Sequence, residues 1–247
     1  MENGESQSEQ NTGPKVLVVF CTYNERHNLP IAYQQLKETL PDASVLVVDD
    51  NSPDQTGDWV KEQQASNPKL HLLSRSGKLG LGSALHDAIS WCVDREFEFL
   101  INLDADLSHD PKLASQMLAA CQESSVAVSV GSRYIDGGGF EGVPWFRRLI
   151  SLVLNRYAIW LLRLPITDCS GSYRCYRTEA LKMLDLGGLK CKGYGFLEEI
   201  LVALQRKGCT FAEVPLKFET RLSGHSKLTV ADAIGALKTI HMLALRR

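Results

Sequence analysis

Two aspartates separated by one residue, Asp104 and Asp106, are the residues of this chain best suited to chemistry. They follow an apolar run at 99–103 that is typical of a strand buried in the middle of a sheet. Ligands of open α/β sheets bind beyond the carboxyl ends of such strands. Two carboxylates there can hold Mg2+ or Mn2+, which in turn binds a diphosphate. The alternative is an ordinary polar strand end followed by a helix cap.

Acidic residues also follow two other predicted strands: Glu25 comes after the run at 15–20, and Asp49 and Asp50 come after the run at 45–48. Carboxylates gathered at one edge of a sheet repel each other unless a cation or hydrogen-bond donors lie among them. A nucleotide with its metal ion supplies both. The pattern therefore favours a nucleotide site at this edge.

Arginines are concentrated in the second half of the chain, although the formal net charge is only -2. Seven lie between residues 133 and 177: Arg133, Arg147, Arg148, Arg156, Arg163, Arg174 and Arg177. This distribution favours an anionic ligand in that half. The overall charge gives no reason to expect nucleic acid as a partner.

Apolar strand patterns alternate with amphipathic helix patterns through the first half. Strands are predicted at 15–20, 45–48, 70–73, 99–103 and 126–130, and helices at 30–40, 53–65, 83–94 and 111–122. Such alternation predicts an α/β fold whose mostly parallel central sheet is flanked by helices.

The second half is predicted to be less regular. A loop at 137–139, a long amphipathic helix at 145–163 and a polar segment at 168–177 come first. A helix at 194–206, a strand at 210–218, a basic loop at 221–227 and a helix at 228–245 follow. We expect residues 1–13 to be a disordered tail and residues 14–247 to form one domain, with halves at about 14–132 and 133–247.

Several classes of protein are disfavoured by missing signals. The glycines at 80 and 82 do not extend to Gly-x-Gly-x-x-Gly, and neither a P-loop nor a Gly-x-Ser-x-Gly elbow occurs. The seven cysteines include no Cys-x-x-Cys pair, so we expect reduced thiols and no zinc. No signal peptide is expected, and the most apolar stretch, 149–166, contains Arg156 and Arg163, which disfavours a transmembrane segment.

Motifs along most of the chain resemble those of the inverting glycosyltransferases of family two. In the first half they are Val19-Phe-Cys-Thr-Tyr-Asn-Glu25, Val47-Val-Asp-Asp-Asn-Ser-Pro-Asp-x-Thr56, Leu79-Gly-Leu-Gly82 and Asp104-Ala-Asp-Leu-Ser-His109. In the second half they are Gly131-Ser-Arg-Tyr134, Arg147-Arg-Leu-Ile-Ser151, Asp168-x-Ser-Gly-Ser-Tyr-Arg174 and Gly224-x-Ser-Lys227. The resemblance implies a GT-A fold, in which a Rossmann-like sheet binds a nucleotide sugar and a divalent metal.

The resemblance also implies roles for particular residues. The implied nucleotide contacts are Cys21 (through its backbone), Tyr23, Glu25, Val48, Asp50 and Ala105. The implied metal ligands are Asp104, Asp106 and Ser108. Ser108 stands where some relatives have Gln as a third ligand. Because a hydroxyl is a weaker ligand, water is expected to complete the coordination shell. The implied contacts to lipid phosphate and leaving diphosphate are Arg133, Arg147, Ser151, Arg221 and Lys227. The implied catalytic residues are Asp106, Arg133, Arg147 and Lys227.

For a few other residues a structural role is as well supported as a functional one. Asp168, Ser170, Arg174 and Glu199 match family motifs, but turn chemistry or a helix surface would explain them equally well. His86 and His109 are expected to be structural.

The resemblance is strongest to the members that transfer mannose from GDP-mannose to dolichyl or polyprenyl monophosphate. It implies one in-line displacement with Mg2+ or Mn2+ as cofactor, which inverts the anomeric carbon and gives a β-linked product. A phosphate oxygen is already an anion at neutral pH, so the nucleophile needs little help from a general base. The alternatives are glucosyl transfer from UDP-glucose, another acceptor, or nucleotide-sugar binding without catalysis.

A lipid acceptor implies peripheral contact with a membrane from the cytoplasmic side, at the endoplasmic reticulum in a eukaryote. The apolar residues of the helix at 228–245 are Val230, Ile234, Leu237, Ile240 and Leu243. Packing on the core is favoured for this helix over docking on a bilayer or on small membrane subunits. The helix at 145–164, with Trp160 and several leucines, is a second candidate for a membrane-facing surface.

Overall fold

The computed structural model describes residues 13–189, 191, 193, 195–220 and 230–245. The predicted tail, apart from Gly13, and the predicted basic loop lie outside the described residues. Arg221 and Lys227 belong to that loop and are therefore not described either.

A seven-stranded sheet forms the centre of the described chain. In chain order the strands of the structure are β1 (Val16–Thr22), β2 (Ser44–Asp49), β3 (Leu70–Ser74), β4 (Phe99–Leu103), β5 (Val128–Ser132), β6 (Gly139–Glu141), β7 (Arg174–Arg177), β8 (Phe211–Pro215) and β9 (Lys217–Glu219). The large sheet has the order β3-β2-β1-β4-β7-β5-β8. Neighbouring strands of this sheet are parallel, except that β7 is antiparallel to both β4 and β5. The predicted mostly parallel sheet is confirmed.

β7 was not predicted, because its residues belong to a segment that was predicted to be polar and irregular. The guanidinium of Arg174 is fully buried, and it donates to the carbonyl oxygens of Leu197 at 2.5 Å and Cys169 at 2.6 Å. Buried charged groups require such partners. These two carbonyl groups allow an arginine to occupy a strand in the middle of the sheet.

Helices cover both faces of the sheet. Those of the described residues are α1 (Leu29–Thr39), α2 (Thr56–Gln64), α3 (Leu81–Asp94), α4 (Ala114–Gln122), α5 (Trp145–Leu162), α6 (Thr178–Lys182), α7 (Gly195–Arg206) and α8 (Val230–Leu245). A short 3-10 helix, Pro111–Leu113, precedes α4. The helix predicted from residue 53 begins at Thr56, because Ser52 instead donates from its backbone N–H and hydroxyl to Asp49.

The central strands β1, β2 and β4 are buried on both faces, which explains why they are almost continuous apolar runs in the sequence. Leu17 and Val19 of β1 pack in one cluster with residues of α3, α5, α7 and α8. Val18 and Phe20 face the other side and pack with residues of α1, α2 and α4. The two clusters hold the sheet in the middle layer.

A small second sheet lies against the turn that follows β4. It consists of β6 and β9 in parallel, so the loop predicted at 137–139 runs into a strand, and the strand predicted at 210–218 is divided into β8 and β9. The backbone N–H of Glu219 donates to the carbonyl oxygen of Ser108 at 3.0 Å. This bond joins the end of β9 to the Asp104–His109 motif.

Ile240 and Leu243 in the second half of α8 are buried. This part of the helix therefore packs on the core, which is the arrangement that was favoured for it. Within the described residues, no helix combines the length and the apolar character needed to cross a membrane.

Candidate active site

The carboxyl ends of β1, β2 and β4 lie side by side, because Thr22 is in register with Asp49, and Phe20 with Leu103. Residues that follow these strands therefore meet and line an open cleft. Those that the sequence analysis singled out are Cys21, Tyr23, Glu25, Asp50, Asp104, Ala105 and Asp106. The structure thus brings most of the residues implied for nucleotide and metal to one place.

The turn after β4 fixes Asp106 through the residues that follow it. Leu107 has a φ of 62°, a left-handed conformation that bulky side chains rarely adopt. This turn allows the N–H and the hydroxyl of Ser108 to donate to Oδ1 of Asp106 at 3.0 and 2.6 Å. Strained backbone of this kind is concentrated at functional sites.

Asp104 and Asp106 have the donor chemistry for a hard divalent cation. Both line the cleft, and the Asp104 side chain is 32% exposed. No group of three or more His, Cys, Asp or Glu that could hold a metal ion occurs among the described residues. Mg2+ is usually bound by one or two carboxylates together with substrate phosphates. The pair therefore fits an ion that is shared with a diphosphate.

Ser108 and His109 support this turn from behind. The Ser108 hydroxyl, implied as a third metal ligand, is buried and donates to Asp106. The His109 ring is buried against Tyr173 and Phe218, with centroid distances of 5.6 Å to each, and its Nδ1 is 3.8 Å from Oδ2 of Asp104. Burial lowers the pKa of His109.

Asp50 lines the cleft and also anchors the neighbouring loop. Its Oδ1 accepts a hydrogen bond from Nη1 of Arg75 at 2.6 Å, and its Oδ2 accepts from the amides of Leu79 at 3.0 Å and Gly80 at 2.9 Å. Gly80 has a φ of 93°, which only glycine adopts readily. The side chain of Val48 is buried in the core, so that only its backbone can face a ligand.

Lys78 is a cleft residue that the sequence analysis did not single out. Its ammonium lies 4.6 Å from the centroid of the Tyr23 ring, which is within the range of a cation–π contact. It places a positive charge beside Glu25, Asp50, Asp104 and Asp106. The sequence feature that could have identified Lys78 is its position directly before the Leu79-Gly-Leu-Gly82 motif.

The loop after β1 is tied down by side-chain hydrogen bonds. The N–H of Glu25 donates to Oγ1 of Thr56 at 3.1 Å, and Oε2 of Glu25 accepts from Nδ2 of Asn28 at 2.8 Å. Burial, followed by the charges of Asp104 and Asp50, raises the pKa of the Cys21 thiol. The thiol is therefore protonated at neutral pH and is not a candidate nucleophile.

A second group of polar residues follows β5 and belongs to the half implied for the acceptor. Arg133 forms an ion pair with the buried Asp168, at 2.7 Å between Nε and Oδ2. The hydroxyls of Tyr134 and Ser151 are 2.8 Å apart, which links α5 to the residue after Arg133. Arg147 is exposed on the first turn of α5.

Glu199 has a structural contact at the start of α7. Its Oε2 accepts a hydrogen bond from the backbone N–H of Cys191 at 2.8 Å. This bond joins Cys191 to the helix.

Comparison with known proteins identifies the family of this chain. The Glycosyl transferase family 2 profile matches residues 17–184. An undecaprenyl-phosphate mannosyltransferase of Micrococcus luteus is 37% identical over 215 residues, which is 87% of this chain and 88% of that protein. A polyprenol monophosphomannose synthase of Mycolicibacterium smegmatis is 36% identical over 227 residues, covering 92% of this chain and 85% of that protein.

Solved structures of the same architecture contain nucleotide ligands and Mn2+. Glucosyl-3-phosphoglycerate synthase of Mycobacterium tuberculosis, with Mn2+, UDP and glucosyl-3-phosphoglycerate, has a TM-score of 0.67 at 18% identity, over 94% of this chain and 80% of that one. A mannosyltransferase of Pyrobaculum calidifontis with GDP-Man and Mn2+ has a TM-score of 0.64 at 18% identity, over 96% and 66%. These similarities show the GT-A fold. The chain belongs to glycosyl transferase family 2, as its motifs indicated.

Proposed function

We propose that this chain transfers mannose from GDP-mannose to dolichyl or polyprenyl monophosphate and gives a β-linked product. The observation that carries the proposal is the pair Asp104 and Asp106 in an acidic cleft of a family 2 chain. The names of the Micrococcus and Mycolicibacterium relatives support mannose as the sugar and a polyprenol phosphate as the acceptor class. The Pyrobaculum structure supports a fold that accommodates GDP-Man with Mn2+.

In this reaction an oxygen of the lipid phosphate attacks the anomeric carbon while the bond from that carbon to GDP breaks. Attack from the face opposite the leaving group inverts the configuration. Tyr23, Glu25 and Asp50 hold the nucleoside, and Arg133 orients the acceptor phosphate. Asp104 and Asp106 would hold Mg2+ or Mn2+, which when bound neutralises charge on the departing diphosphate. Fixed positive groups at that point favour the transition state over the ground state.

Transfer of labelled sugar into an organic extract tests the proposal. The full chain is incubated with dolichyl phosphate in detergent, with Mg2+ or Mn2+, and with either GDP-mannose or UDP-glucose. We expect label from GDP-mannose alone. Label from UDP-glucose would replace mannose by glucose as the sugar. If nucleotide binds but neither sugar is transferred, the proposed acceptor is wrong.

A matched pair of aspartate variants tests the role of the cleft. Asp106→Asn should lower transfer by on the order of 100-fold, because a charge that acts on the transition state is lost. Asp110→Asn is the control, since Asp110 is exposed and caps the following 3-10 helix, a role that asparagine fills equally well. Equal loss in both variants would contradict the assignment.

Helix α5 exposes an apolar face that suits a lipid surface. Its exposed large apolar residues are Trp145, Phe146, Leu149, Ile150, Val153 and Trp160. At about 100° per residue they fall within about 140° of arc, on the side away from the buried Asn155, Ala158 and Leu162. Large exposed apolar patches mark interaction sites. We propose that this face rests on a bilayer, because the proposed acceptor is a lipid and the exposed Arg147 and Arg148 can attract anionic headgroups.

Flotation with vesicles of phosphatidylcholine and phosphatidylglycerol tests this contact. The double variant Ile150→Asp with Val153→Asp should lose binding, whereas Ile31→Asp, at a 44% exposed site on α1, should keep it. A wild-type chain that does not float would refute direct docking and would favour small membrane subunits. The proposed location is the cytoplasmic side of the membrane, at the endoplasmic reticulum in a eukaryote.

A further inference from the structure

One edge of the Arg133 guanidinium is fully engaged by a buried carboxylate. Nε donates to Oδ2 of Asp168 at 2.7 Å, and Nη2 donates to Oδ1 at 2.8 Å. The backbone N–H of Arg133 also donates to Oδ2, at 3.1 Å. Asp168 has no exposed side-chain surface, and the Arg133 side chain is 11% exposed. This is the bidentate geometry that fixes a guanidinium plane most strongly.

Asp168 is itself held by the backbone that follows it. The amides of Ser170 and Gly171 donate to Oδ1 at 3.2 and 3.3 Å. The carbonyl oxygen of Cys169, the next residue, accepts from the buried Arg174 at 2.6 Å. Although burial opposes it, hydrogen bonding to Arg133 lowers the pKa of Asp168, so the carboxylate is ionised at neutral pH. The carboxylate therefore forms a rigid anchor for Arg133.

Aromatic rings surround the same guanidinium. Its Cζ lies 5.4 Å from the ring centroids of Tyr134 and Phe140 and 5.8 Å from that of Phe218. The Phe218 ring also packs edge-on against His109, behind the Asp104–Asp106 turn. Arg133 is thus connected to Asp104 through two rings, Phe218 and His109.

The remaining nitrogen of Arg133, Nη1, has no hydrogen-bond partner within the part of the chain that the structure describes. Nη2 additionally donates to Oγ of Ser170, at 2.6 Å. A guanidinium has five N–H donors, so that the edge bound to Asp168 leaves Nη1 available for an anion.

We infer that Asp168 is a positioning residue, which holds Arg133 in the orientation that receives the phosphate of the acceptor. The inference rests on the proposed function. A mobile arginine loses rotamer freedom when it is fixed, which is an entropic cost to binding. Because Asp168 has already fixed it, less of that cost falls on binding of the acceptor. Asp168 therefore acts on acceptor affinity through Arg133 and leaves the donor cleft unchanged.

The test separates acceptor affinity from donor affinity. In Asp168→Asn we expect the KM for dolichyl phosphate, and the Kd of farnesyl phosphate measured without donor, to rise about tenfold, which corresponds to about 1.4 kcal/mol. The Kd of GDP with Mn2+ should change less than twofold. Unchanged acceptor binding, or an equal loss of GDP binding, would overturn the inference.

Asn155→Ala is the matched structural control, because it loosens the same segment without touching Arg133. Asn155 donates to the carbonyl oxygen of Thr167 at 2.7 Å and accepts from the N–H of Cys169 at 3.0 Å. We expect a lower melting temperature and little change in farnesyl phosphate binding. A tenfold loss here as well would assign the effect to the segment and refute a specific role of Asp168.

A double variant tests whether Asp168 acts through Arg133. In the Arg133→Gln background, Asp168→Asn should add less than a twofold change in the Kd of farnesyl phosphate, because the group it positions is already gone. A further tenfold loss would refute the inference. If Asp168→Asn does not fold, Asp168→Glu takes its place with the same expectations. A wild-type chain that neither transfers sugar nor binds farnesyl phosphate refutes the proposed function itself.

Discussion

Replacement of Glu198 by glutamine should make the protein more stable at alkaline pH. Glu198 lies in the first turn of α7 and is 7% exposed. Its Oε2 has no hydrogen-bond partner among the described residues. Burial raises the pKa of Glu198 to about 7, although the charge of Arg174 acts in the opposite direction. Asp168 adds a smaller upward contribution.

The sign of the effect follows from the proton that the folded state retains. Between pH 4.5, the ordinary pKa, and about 7, the folded chain keeps a proton that the unfolded chain releases. The free energy of unfolding therefore falls as pH rises through this window, and it stays lowered above it. A pKa displaced from 4.5 to about 7 corresponds to about 3 kcal/mol. Glutamine is neutral throughout, so Glu198→Gln should recover most of this above pH 8.

Urea unfolding at pH 5 and at pH 8.5 measures the difference. We expect Glu198→Gln to exceed the wild type by about 3 kcal/mol at pH 8.5 and by less than about 1 kcal/mol at pH 5. Glu62→Gln, on the exposed face of α2, should match the wild type at both pH values. A variant that is less stable than the wild type at pH 8.5 would show that Glu198 is needed as a charge to balance Arg174.

Three further outcomes are expected. Removal of divalent ions with EDTA should abolish sugar transfer, because without a cation Asp104 and Asp106 would repel the diphosphate. Added Mg2+ or Mn2+ should restore transfer. Transfer that survives chelation would contradict this role of the two aspartates. Asp50→Asn should lower the free energy of unfolding by about 2 kcal/mol, since Arg75 loses its buried carboxylate partner and keeps only the partly exposed Asp87. It should also weaken GDP binding measured by calorimetry. Gly82→Ala should destabilise the chain by about 1–3 kcal/mol, because the added Cβ would lie 2.8 Å from the carbonyl oxygen of Gly193. Gly77→Ala, with nothing within 4 Å, should be neutral in the same urea titration.

The parallel part of the sheet could be predicted because its strands are apolar on both faces. The run at 45–48 has no polar side chain and the run at 99–103 has only one, Asn102, so composition identifies both. β7 could not be found in this way. It contains Arg174, which donates to carbonyl oxygens 5 and 23 positions away, and Arg177, which donates to one 56 positions away. Such partners exist only after the chain has folded.

The candidate site was predictable where residues directly follow strands. Asp104, Asp106, Tyr23 and Glu25 meet because parallel strands end at the same edge. The contacts that fix them were not predictable. The hydrogen bond between Arg75 and Asp50 joins two residues 25 positions apart. The pairing of Arg133 with Asp168 spans 35 positions and depends on packing of the second half.

The position of β7 has a consequence for the order in which the protein can form during synthesis. β5 lies between β7 and β8 in the sheet and has no other neighbour there. Both of these partners are made later than β5, at residues 174–177 and 211–215. When only the first 132 residues have left the ribosome, the sheet is therefore incomplete and β5 has no strand to pair with. Early strand pairing should stop at β4 until the chain has grown past Arg177, and the nascent chain would need protection from aggregation over that interval.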